Sequence, residues 1–102
     1  MKILLACSAG MSTSLLVSKM EKVAEEKGLE AEIWAVAQDK VISELPKADV
    51  LLIGPQMRFL KKKFEAKAQE LNVPVDIIDP VAYGRVNGEA VLDKAMELIE
   101  AK

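Results

Sequence analysis

Apolar and polar residues alternate along this chain in a pattern that predicts four strands and four helices. Lys2–Ala6 (KILLA) is a short apolar run that reads as a buried strand. From Ser14 to Lys27, Leu16, Met20, Val23 and Ala24 recur at helical spacing, with Lys19, Glu21, Lys22, Glu25 and Glu26 elsewhere. Gly28 is suited to close that helix. Glu30–Val36 reads as a second strand, and its charges at Glu30 and Glu32 suggest an edge position with one wet face. Trp34 within it reads as a packing residue. Asp39–Leu45 predicts a short helix with Asp39 as its cap and Pro46 as its end.

Asp49–Ile53 (DVLLI) is an unbroken apolar run, the signature of a central parallel strand covered on both faces. Gly54 and Pro55 interrupt it. The next helix is expected over Met57–Leu71, with Met57, Leu60, Phe64, Ala68 and Leu71 on one side. Arg58, Lys61, Lys62 and Lys63 form its basic group, read as a solvated face, or else as a docking patch for an acidic protein surface. Val73–Ile78 is the fourth strand, with Pro74 tolerable near its start. Asp79 and Pro80 open a loop containing Tyr83, Gly84, Arg85 and Gly88, and Glu89–Ala101 is the final helix, facing inward with Val91, Leu92, Ala95, Met96 and Ile99.

The rhythm β-α-β-α-β-α-β-α predicts a single α/β/α domain over residues 1–102, with a four-stranded parallel sheet between two helical layers. Right-handed crossovers and a strand order of 2-1-3-4 put the reversal between the first and third strands. Ligands of such sheets sit at the carboxyl ends of the strands beside that reversal.

Composition narrows the function. The 102 residues are 51% hydrophobic and 29% charged, as in a soluble globular domain. A net charge of −2 and few aromatic residues give no reason to expect a nucleic-acid partner. No apolar run approaches the roughly 20 residues that span a bilayer, so no membrane insertion is expected. No signal-peptide pattern opens the chain, and a lone cysteine forms no internal disulfide, which suits a reducing cytoplasm. With no histidine, this chain carries no phosphohistidine and no histidine-based catalytic pair. The scattered Asp and Glu show no ligand spacing, so no metal and no cofactor are expected.

Cys7 stands where the first strand gives way to a loop running to Ser12 or Thr13. A lone cysteine at the end of an apolar strand is most often a buried small hydrophobe. The eight residues C-S-A-G-M-S-T-S, with four hydroxyls and a glycine, argue for more than packing. Ser8, Ala9 and Gly10 allow a tight backbone curl, Met11 stands at the apex, and Ser12, Thr13 and Ser14 are candidate helix caps. Backbone N–H groups converging at a helix N-terminus form an anion cradle, and the positive helix end favours the thiolate, the nucleophilic form. The loop therefore reads as a P-loop-like phosphate cradle in which Cys7 attacks a phosphoryl group and Ser8 to Ser14 hold it.

This loop resembles that of low-molecular-weight tyrosine phosphatases and related arsenate reductases, which use a Cys, five residues, then Arg and Ser/Thr. Here those last positions hold Thr13 and Ser14, and the loop has no Arg. That Arg would fork onto the phosphoryl oxygens, so rapid hydrolysis is poorly supported. Asp79-Pro80 resembles the general-acid pair of those phosphatases, but reads more simply as a turn opener. A receiver-like domain is disfavoured, since Cys7-Ser8 and Gly54-Pro55 stand where acidic residues would be required.

The whole chain resembles enzyme IIB of the sugar phosphotransferase system, in the lactose/cellobiose family and closest to its cellobiose/chitobiose branch. LLACSAGMSTSLLVSKM (Leu4–Met20) carries the resemblance, supported by ADVLLIGPQ (Ala48–Gln56) and YGRVNG (Tyr83–Gly88). The resemblance implies a cytoplasmic phosphocarrier, held at the membrane by its partner. Cys7 would take a phosphoryl group from a phosphohistidine of a IIA protein and pass it to a disaccharide bound by the membrane IIC permease. It further implies an exposed thiol within an apolar rim, with Met11 a candidate rim residue. Pro55, Gln56, Met57 and the segment Asp79–Tyr83 would flank it. Packing is the preferred reading for Pro55 and Met57, while Tyr83 and Gln56 are possible supporting residues of the phosphate site.

Overall fold

The computed structural model describes residues 1–7 and 10–101, with the backbone alone for residues 10–13. In chain order the elements are β1 (Lys2–Cys7), α1 (Gly10–Glu26), β2 (Glu32–Ala37), α2 (Val41–Glu44), β3 (Val50–Ile53), α3 (Lys61–Glu70), β4 (Val75–Ile77), α4 (Pro80–Gly84) and α5 (Gly88–Ala101). Short 3-10 turns at Gln38–Lys40 and Leu45–Lys47 flank α2, and a longer one, Pro55–Leu60, precedes α3. The strands form one parallel sheet in the expected order β2-β1-β3-β4.

The sheet separates two cores because side chains alternate across each strand. Ile3 and Leu5 of β1, with Val50 and Leu52 of β3, pack against Leu16, Met20 and Ala24 of α1 and Val91, Leu92 and Ala95 of α5. Leu4 and Ala6, with Leu51 and Ile53, pack on the other face against Val41, Leu45, Phe64 and Ala68. Both central strands are thus covered twice, which is why they lack polar alternation. The edges are β2, where Glu32 is exposed, and β4, only three residues long. On β4, Asp76 lies 3.8 Å from Lys61 Nζ and 3.4 Å from Lys94 Nζ, so charge blunts that edge.

Three helices end alike. After α1, Leu29 N–H donates to the Ala24 carbonyl at 2.8 Å and Gly28 N–H to that of Glu25 at 3.1 Å. After α3 the pair is Val73 to Ala68 and Asn72 to Gln69, and after α4 it is Asn87 to Ala82 and Val86 to Tyr83. This is the Schellman closure, whose pivot residue must be left-handed. The pivots are Gly28 (φ 70°), Asn72 (φ 58°) and Val86 (φ 52°). Gly88 then starts α5 in contact with α1: a Cβ there would lie 2.7 Å from the Lys19 carbonyl carbon and 2.8 Å from the Met20 nitrogen.

Several boundaries differ from expectation. α1 begins at Gly10 rather than Ser14, so Gly10, Met11, Ser12, Thr13 and Ser14 belong to the helix, and Ser12 to Ser14 do not cap it. Small and hydroxyl residues that favour loops are also tolerated in an initial helical turn. Asp39 caps no helix, and Pro46 lies within the closing 3-10 turn. The helix expected from Met57 is a 3-10 turn with a non-helical kink at Met57, and α3 starts at Lys61. The expected loop after Asp79 is instead α4: Asp79 Oδ2 accepts from the Ala82 N–H at 3.0 Å, and Pro80 takes a position whose N–H would be unused.

Candidate functional site

Cys7 ends β1, in register with Ala37 of β2, and two residues separate it from the first residue of the 17-residue α1. The thiol therefore stands at the carboxyl end of a central strand, beside the sheet reversal and ahead of a long helix's positive end. Cys7 is 4% exposed, and its Sγ donates to the Val36 carbonyl 3.6 Å away. This corrects the expectation of an openly exposed sulfur. Strand pairing continues through Cys7 itself, which holds its side chain against the sheet instead of lifting it into a loop.

Two neighbouring segments reach the same end of the sheet. Gly54, just beyond β3, donates its N–H to the Ala6 carbonyl at 3.0 Å and so ties that segment to the residue before Cys7. Gln56, two residues on, donates from Nε2 to the Tyr83 hydroxyl at 3.2 Å. Tyr83 is half-buried on the core beneath α4. The two candidate supporting residues are thus joined to each other, a pairing that no local motif in the sequence signals. Asp79 caps α4, a role that neither the turn-opener nor the general-acid reading had named. Met57 is buried in the core with Phe64, which makes it a packing residue.

Ser8 and Ala9 lie outside the described residues, as do the side chains of Met11, Ser12 and Thr13. The first N–H groups of any α-helix lack intrahelical acceptors, and α1 begins at Gly10.

Sheet order, helix placement and a cysteine ending the first strand define a class of small parallel α/β domain with a thiol at its reversal point. Residues 2–94 match the family model for the lactose/cellobiose-specific IIB subunit of the phosphotransferase system (PTS). The chain belongs to this family, whose role is that of a sugar-specific phosphocarrier.

It is 53% identical over 98 residues to the oligo-beta-mannoside-specific EIIB component of Bacillus subtilis (strain 168), covering 96% of this chain and 95% of that protein. It is 47% identical over 102 residues to the galactose-specific EIIB component of Lactococcus lactis subsp. cremoris (strain MG1363), covering 95% and 94% respectively. The solution structure of the cellobiose-specific IIB component from Borrelia burgdorferi superposes with a TM-score of 0.84 at 42% identity, covering all of this chain and 94% of that one. No helix among the described residues is long and apolar enough to cross a membrane.

Proposed function

We propose that Cys7 is the phosphoryl acceptor and donor of a sugar-uptake relay. The observation that carries this reading is the position of Cys7, at the carboxyl end of a central strand and directly ahead of α1. The thiolate sulfur attacks the phosphorus of a IIA phosphohistidine; the P–S bond forms as the P–N bond breaks, and the departing imidazole nitrogen recovers a proton. Backbone N–H groups of the segment Ser8 to Ser14 bind the phosphoryl oxygens. In the second step a sugar hydroxyl presented by the IIC permease attacks phosphorus, loses its proton, and the thiolate leaves. PTS EIIB components generally work between IIA and IIC proteins, which supports these partners.

The substrate is a disaccharide of the cellobiose or chitobiose type, a choice drawn from the motif resemblance. Relatives specific for oligo-beta-mannoside and galactose have the same size, so overall architecture does not select the sugar. The thiol of the resting protein is bound to the Val36 carbonyl, and transfer requires that contact to be released. Partner docking at the strand ends is the step that releases it. Gln56 and Tyr83, tied to each other, border the site and hold the segments after β3 and β4 in register.

The test is mass spectrometry after incubation with phosphorylated IIA protein. One phosphoryl group is expected on Cys7, and Cys7→Ser is expected to lose acceptance while remaining folded by circular dichroism. Phosphate on any other residue overturns the assignment. Turnover of an aryl phosphate above slow background would favour the phosphatase-like alternative instead.

A further inference from the structure

We infer that the run Arg58–Lys63 is a peripheral docking surface for an anionic membrane face, with Phe59 as its apolar contact. Residues 55–64 hold four cations and no carboxylate, in a chain whose net charge is −2. Arg58, Phe59, Lys62 and Lys63 are exposed, and Phe59 stands 75% exposed while Phe64, five residues on, is fully buried. Among the described residues, no carboxylate pairs with Arg58, Lys62 or Lys63; Lys61 alone approaches one, Asp76. The three lysines occupy the first turn of α3, at its positive end and with no acidic residue there. Cations at that end oppose the helix dipole, so helix stability does not account for them.

An acidic protein and an anionic lipid surface would both attract this patch, and its chemistry favours lipid. Protein interfaces are enriched in Arg and depleted in Lys, whereas three of these four cations are Lys. A lysine ammonium is a hydrated point charge on a flexible stem, suited to non-directional attraction by headgroups. A lone protruding aromatic ring among such charges sits well at the headgroup boundary. Gly54 alone separates Pro55 from β3, and Gly54 is bonded to Ala6, so the patch begins at the sheet end that bears Cys7. Binding there would turn the thiol's end toward the membrane. That orientation draws on the phosphocarrier reading, whereas lipid binding itself does not.

The test is co-sedimentation of the full chain with vesicles rich in phosphatidylglycerol, against pure phosphatidylcholine vesicles. Binding is expected only to the anionic vesicles and should weaken steadily with added salt. Lys62→Glu with Lys63→Glu should reduce it by about tenfold or more, since each basic residue near such a surface contributes appreciably. Phe59→Ala should weaken it less, and Lys22→Glu, an exposed lysine on α1, should leave it nearly unchanged. Equal binding to neutral vesicles overturns the proposal, as does an effect of Lys22→Glu equal to that of the paired change. Absence of vesicle binding alongside capture of polyglutamate also overturns it, in favour of an acidic protein partner. Cys7→Ser should bind vesicles normally, so failure of the relay and failure of the lipid surface are separable.

Discussion

Gly28, Asn72 and Val86 occupy the same position in three separate helix endings, and only the first suits it without cost. Glycine has no Cβ to collide at positive φ, asparagine tolerates it, and a β-branched valine resists it. Gly28 has nothing within 4 Å of where a Cβ would stand. Gly28→Ala therefore isolates the conformational term and is expected to lower stability by about 1–2 kcal/mol, read as a shifted urea midpoint at unchanged m. Gly28 was legible from the sequence because glycine after an amphipathic run is a strong stop signal. Val86 was not, because nothing in its type suggests a left-handed backbone. Asp79-Pro80 carried a helix-start signal as well as a turn signal, and the clustered Tyr83, Gly84 and Gly88 after it favoured the loop reading.

Among Gly28, Gly54, Gly84 and Gly88, the last, at the joint between α1 and α5, makes the tightest approach to a neighbouring backbone. Gly88→Ala must push α5 away from the Lys19–Met20 peptide and is expected to cost about 1–3 kcal/mol. Gly84→Ala, four residues earlier with open space around it, should be neutral or stabilising by about 0.5–1 kcal/mol. Thermal unfolding of the two variants side by side checks both. The Lys27–Asp93 ion pair, at 3.0 Å, ties the residue just after α1 to α5. The Asp93 hydrogen bond is the main reason the Lys27 ammonium titrates above its usual range.

Apart from α4, element order and type were readable here because each apolar run or stripe had one period. The starts of α1 and α3 were not. Four hydroxyls around Gly10 imitate a loop, and the kink at Met57 breaks the helix without breaking its apolar spacing.

Across the whole molecule, the sheet divides the interior into two cores that share no side chain. Ile3 belongs to one and Ile53 to the other, although their strands are neighbours. Ile3→Val and Ile53→Val are each expected to cost about 0.5–1.5 kcal/mol. The double variant should lose their sum to within about 0.5 kcal/mol by chemical denaturation. Strand order followed from the sequence because only the third run and the first were apolar enough to be central. The candidate site was legible as a location, Cys7 at a strand end. Its degree of cover was not, since that depends on pairing with β2 across some thirty residues of chain.

The near-complete cover of Cys7 has a chemical consequence. Oxidants convert an accessible thiolate to sulfenic acid and then to forms that cannot be recovered. A chain with a single cysteine has no internal resolving thiol to rescue it. Holding that sulfur hydrogen-bonded against β2 shields it from peroxide and stray disulfides alike.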